Sequence, residues 1–144
     1  MERDGMLLVT GCECAGLPEG VPVIYADRLR LVDCPECVVM VGENAEIPQV
    51  RSALGVVVSG EGGGAFPAER LSGIQVITCG RCGKNTICIT SDDGDTVTLA
   101  LNRTVTTLSG ICEPMELPVK RQPDFQEYPC MAAFAAAILL GRVE

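Results

Sequence analysis

The chain has 144 residues, is 47% hydrophobic, and carries 19 acidic against 11 basic residues for a net charge of −8. That much apolar material excludes disorder as the main state and suits a single domain spanning 1–144. The acidic balance argues against a phosphate-backbone partner, so no nucleic acid is expected. Histidine is absent, which removes the commonest general base and any Ser-His-Asp or Cys-His set.

The first residues, Met1 to Gly5, carry acidic side chains, and the apolar stretch Met6 to Val9 is shorter than a signal peptide needs. The longest apolar run, Met131 to Leu140, falls well short of the roughly 20 residues of a bilayer span. No membrane span is expected, and a cytoplasmic location is. Nine cysteines are then free thiols, either small buried hydrophobes or metal and thiol chemistry.

Short β-branched runs come first. Met6–Thr10, Val21–Tyr25, Cys37–Val41, Gly55–Ser59 and Gln75–Cys79 are bounded by turn residues. Pro22 favours an edge or a strand start. Runs that are apolar at every position suit strands buried on both faces, as in parallel sheets. Pro48 and Pro67 each fit the first position of a short helix, Pro48 to Leu54 and Pro67 to Leu71. Strand and helix therefore alternate over 37–79 as two right-handed βαβ crossovers.

After residue 84 the pattern changes. Thr86–Ser91 and Thr96–Leu101 alternate polar with apolar residues around the turn Asp92-Asp93-Gly94-Asp95, which predicts an antiparallel hairpin. Thr104–Leu108 and Met115–Val119 are two further β-rich runs. The polar connector 120–127 leads into an Ala-rich helix that Pro129 opens and Gly141 stops. That helix is apolar all round, so it is packed inside the fold or shared with a partner. The expected fold class is α/β and Rossmann-like. It is a three-layer-like domain with a mostly parallel N-terminal sheet of βαβ units, an antiparallel hairpin layer and a buried C-terminal helix.

The cysteines stand as Cys12-x-Cys14, Cys34-x-x-Cys37 and Cys79-x-x-Cys82, with Cys88, Cys112 and Cys130 apart. Two C-x-x-C pairs can present four thiolates to one zinc ion. Against this, Cys34 and Cys37 enter a predicted strand whereas Cys79 and Cys82 leave one, and those ends are opposite in a parallel sheet. Arg81 and Lys84 would acidify the Cys79 and Cys82 thiols, but a strand rather than a helix follows them. Neither glycine-rich stretch, Ser59–Ala65 or Gly80–Thr86, has the residues of a P-loop. The Asp92–Asp95 turn lacks the ligand series of a calcium loop.

Val57-Val58-Ser59, Ile74–Gly80, the antiparallel runs, Tyr128 and the helix Met131–Gly141 occur in one order. This order resembles the distal half of the central domain of Mur ligases, the ATP-dependent peptidoglycan ligases, over residues 56–141. Val76–Gly80, Lys84-Asn85-Thr86 and Glu113-Pro114-Met115-Glu116 also resemble a family of small bacterial proteins of that layout. The resemblance implies the fold but not the chemistry. The P-loop has no counterpart. Ser59-Gly60-Glu61 stands for the Asn-x-Asp-Asp turn, and Glu127-Tyr128-Pro129 for the His-Asn pair.

The expected function is a non-catalytic binding or protein-interaction domain. Its ligand crevice would lie beyond the carboxyl ends of the parallel strands, with Ser59, Gly60 and Glu61 at the mouth and Arg81 and Lys84 holding an anion. The C-terminal helix would serve a second copy or a protein partner. No cofactor is required by this reading. Its alternative is a thiol-based metal or redox protein using Cys34, Cys37, Cys79 and Cys82 with zinc. A hydrolase or transferase using acidic residues such as Glu61, Glu113 and Glu116 would need a cleft that separates their pKa values.

Overall fold

The computed structural model describes residues 5–12, 16–61 and 68–142. Cys14, Pro67 and the glycines at 62–64 lie outside them. The mainly apolar runs become the centre of the molecule. β1 (Met6–Thr10), β4 (Cys37–Val41), β6 (Gly55–Ser59) and β7 (Val76–Cys79) pair in parallel, and β2 (Val23–Ala26) closes one edge beside β1. β8 (Ile87–Asp92) joins β7 in parallel. β9 (Thr96–Leu101) and β12 (Met115–Lys120) then add antiparallel neighbours. The order across the eight-stranded sheet is β12-β9-β8-β7-β6-β4-β1-β2.

Successive side chains alternate between two hydrophobic layers, as strand geometry dictates. Leu7, Val9, Val38, Met40, Val57 and Ile77 face the C-terminal helix α1 (Glu127–Leu139). Cys37, Val39, Val41, Val56 and Val58 face the other way, onto Val32, Val50 and Leu71. Val32 and Val50 belong to a small parallel ribbon formed by β3 (Leu31–Asp33) and β5 (Gln49–Ser52). A further hairpin, β10 (Val105–Thr107) with β11 (Gly110–Cys112), packs beside α1.

This overturns the expected three-layer α/β, Rossmann-like class. The described residues hold twelve strands and one α-helix, so the protein is mostly β. The connection from β4 to β6 is strand β5, where a helix over Pro48–Leu54 was expected. β3, β4, β5 and β6 alternate between the ribbon and the main sheet, so the chain winds in a β-solenoid-like manner. The local reason is period. Gln49 and Arg51 are exposed and Val50 between them is buried, which is strand alternation. A two-turn helix is too short to be stable without strong packing, whereas β5 gains a ladder with β3 and buries Val50 beside Val32. The second expected crossover helix is a single 3₁₀ turn, Ala68–Leu71.

α1 covers the other face. Pro129 lies in its first turn and Gly141 follows its end with φ +70. Gly141 N–H donates to the Ile138 carbonyl and Arg142 N–H to the Ala137 carbonyl, which is the Schellman arrangement that ends a helix at a left-handed glycine. Near the opposite end the buried Tyr128 hydroxyl donates to the Val41 carbonyl. That bond ties the start of the helix to the carboxyl end of β4.

Candidate functional site

The carboxyl ends of β4, β6 and β7 meet the first turn of α1 around a cleft of about 480 Å³. Ser59, Glu61 and Cys79 line it from the strand ends, Glu43 from the turn after β4, and Glu127 and Tyr128 from the helix. The sheet therefore brings together Ser59, Gly60, Glu61 and the Cys79–Arg81 turn, all singled out in the sequence. Gly60 N–H donates to the Cys79 carbonyl at 2.9 Å and Gly80 N–H to the Ile87 carbonyl at 3.1 Å. A Cβ on either glycine would run into the Asn85 side chain. Asn85 is buried, and its Nδ2 donates to the Cys82 carbonyl at 3.0 Å. These glycines thus serve close packing at the strand ends.

The charges do not form the expected anion cradle. Arg81 N–H donates to Glu61 Oε1, and its guanidinium grips both oxygens of Glu127, with Nε to Oε1 at 2.8 Å. The hydrogen bond to Glu127 and that residue's charge hold the guanidinium above its ordinary pKa. Three carboxylates, Glu43, Glu61 and Glu127, line the cleft, so an anion would have to displace Glu127 from Arg81. Lys84 does not line it; the Lys84 carbonyl accepts from Arg103 Nη2 at 2.7 Å. Glu113 and Glu116 are exposed outside the cleft, so the three candidate carboxylates are not convergent.

The cysteine pairs sit at opposite ends of the parallel strands. Cys37 begins β4 and packs on the ribbon side, whereas Cys79 ends β7 and packs on the helix side. Cys34, Cys37, Cys79 and Cys82 cannot converge on one ion. Among the described residues no group of three or more His, Cys, Asp or Glu side chains is placed to hold a metal. Burial, with Cys34 nearby, pushes the Cys37 thiol up to about 12. Burial also raises Cys79. Both stay protonated at neutral pH and are poor nucleophiles. Cys82 is exposed.

A second concavity was not anticipated. Cys130, Ala133, Phe134 and Ala137 follow the i, i+3, i+4, i+7 spacing of one helix face. On this face α1 stands over the last strands of the sheet. Three of the four side chains are small, so the helix does not fill the space above β9 and β12. A groove of about 580 Å³ results, lined by Leu99, Leu117, Val119, Phe125, Phe134 and Ala137 among others. Its size suits a small-molecule or side-chain site, and its walls are mainly apolar. Lys120, Asp124 and Arg142 stand among its polar groups. The sequence signal was the alternation of Met115, Leu117 and Val119 on a strand whose other face is exposed. α1 itself is largely buried within its own chain, with Cys130 and Ala137 half-exposed.

No family model, curated protein or solved structure matches the chain. No helix among the described residues is long and apolar enough to cross a membrane.

Proposed function

We propose that the protein is a non-catalytic binding domain that takes an apolar group of its ligand or partner into the groove between α1 and the β9–β12 strands. The observation that carries this reading is the groove itself: about 580 Å³ with walls from Leu99, Leu117, Val119, Phe125 and Phe134. Covering such walls removes apolar surface from water, which favours binding at about 25 cal/mol per Å². The strand-end cleft is less suited. Its wall is acidic, and its one flanking guanidinium is already paired with Glu127.

In this reading the segment order over 56–141 is similar to that of the Mur ligase central domain, without the residues of its ATP and ligation chemistry. A partner protein or a second copy would meet the half-exposed Cys130 and Ala137 face of α1. A cytoplasmic location accords with the eight described cysteines, all of them free thiols.

The test is titration with the apolar fluorescent probe 8-anilinonaphthalene-1-sulfonate. Native protein is expected to bind it saturably at one site. Ala137→Phe places a ring in the groove and is expected to weaken binding about tenfold, the equivalent of about 1.4 kcal/mol, with the melting temperature retained. Unchanged probe binding in a folded Ala137→Phe variant would refute the groove reading.

A further inference from the structure

A third cleft, of about 370 Å³, opens on the ribbon side of the molecule, away from α1. Its charge is unusual for this chain. Arg28, Arg30 and Arg70 line it together with Glu46, Pro48 and Gln49. Three of the chain's 11 basic residues thus share one small concavity, although acidic residues outnumber basic ones 19 to 11. Glu46 is the one carboxylate among its lining residues.

The elements place these side chains for plain reasons. Leu29 packs into the ribbon-side hydrophobic cluster, and both its neighbours, Arg28 and Arg30, are exposed. The Arg30 carbonyl accepts from Gln49 N–H at 3.0 Å, which fixes this segment against the start of β5. Arg70 reaches across from the 3₁₀ turn. Its Nη1 donates to the Ile47 carbonyl at 2.8 Å and pairs with Glu46 Oε1 at 3.2 Å.

The ion-pair pattern separates the three. Arg70 is held in place by a carbonyl and a carboxylate. Among the described residues no carboxylate pairs with Arg28 or Arg30. A chain of net charge −8 has acid to spare for neutralising two neighbouring guanidiniums, yet among the described residues no carboxylate is spent on either. Guanidiniums present planar forks of N–H donors that match phosphate oxygens two at a time.

We propose that this cleft is a binding site for the phosphoryl group of a small phosphorylated ligand, with Arg28 and Arg30 contacting its oxygens and Arg70 as the fixed third cation. A concavity of about 370 Å³ admits one small ligand rather than a broad lipid surface. Glu46 opposes the ligand and sets its affinity, because it carries the like charge at the cleft wall.

The experiment is isothermal titration of the full chain with inorganic pyrophosphate at low ionic strength. Saturable binding at one site is expected. The double variant Arg28→Ala with Arg30→Ala is expected to weaken it at least about tenfold. Both residues are exposed, so its melting temperature is expected to match the native one. Glu46→Gln is expected to tighten binding, and Arg103→Ala, an exposed arginine elsewhere, to leave it unchanged. Vesicles containing phosphatidate are expected not to co-sediment the protein. Absence of saturable binding, its persistence in the double variant, or an equal loss in Arg103→Ala would overturn the site. Co-sedimentation with the vesicles in place of pyrophosphate binding would overturn the assignment to a small ligand.

Discussion

The two halves of the main sheet are built from the same kind of residue but are covered differently. In the parallel half, β4 and β6 are closed on both faces, by α1 on one side and by the β3–β5 ribbon on the other. Val38, Val39, Val56 and Val57 are all 0% exposed. In the antiparallel half, β8, β9 and β12 pack one face under α1 and leave much of the other to water. There the Ser91 hydroxyl donates to Thr98 Oγ1 at 3.0 Å, and Glu116, Pro118 and Lys120 are exposed. Full closure leaves no room for a ligand. Single-sided cover by a helix of small residues leaves the groove, and it lies in the half that is less completely packed.

The largest effects should follow a charge placed in each half. Val39→Asp puts a carboxylate between β4 and the ribbon with no partner, and the expected outcome is loss of cooperative unfolding in urea. Thr98→Asp, on the wetter side of β9, loses the Ser91 hydrogen bond and some strand propensity and is expected to cost about 1 kcal/mol with cooperative unfolding retained. Similar losses from both would contradict the difference in cover.

A smaller substitution addresses the ribbon. Val50→Ala removes buried methyl groups from β5 and is expected to cost about 1–3 kcal/mol in a urea melt. Were residues 48–54 helical, the same change would be neutral or stabilising, because alanine is the better helix former.

This position shows where sequence reading stopped. The hairpin β8–β9 and the helix α1 were legible because period-2 alternation, an Asp-Gly turn and a Pro/Gly frame are local signals. The buried strands were legible because Cys37–Val41 is apolar at every position and Val56–Val58 is a continuous apolar run. Pro48 was ambiguous, since the first position of a helix and the flank of an edge strand both tolerate a missing N–H. Only pairing with β3, which is three residues long, decides between them. The Arg81–Glu127 pair joins residues 46 apart, and the groove joins β9, β12 and α1. Neither has a local signature. Ser59, Gly60, Glu61 and Cys79 do meet at the strand ends, because parallel strands end on one edge. Lys84, Cys82 and the Cys34–Cys37 pair do not join them.

The thiols give the mildest contrast. Cys37 lies in the closed half, and its folded pKa is raised from 9.0 to about 12 by burial. Below pH 9.0 both folded and unfolded thiols are protonated and stability is unaffected. As pH rises from 9.0 toward about 12, the unfolded thiol ionises and the folded one does not, so stability falls with pH across that window. Near pH 8, timed iodoacetamide labelling read by mass spectrometry is expected to modify the exposed Cys82 before Cys37 or Cys79. Early labelling of Cys37 would contradict its burial.

The most direct test of the account is a methyl-resolved NMR titration of the native chain with 8-anilinonaphthalene-1-sulfonate. The groove reading predicts saturating shifts at Leu99, Leu117 and Val119, with Val39 and Val56 unmoved. Shifts centred instead on the Met131 methyl, which lines the strand-end cleft, or spread evenly over both halves of the sheet, would contradict it.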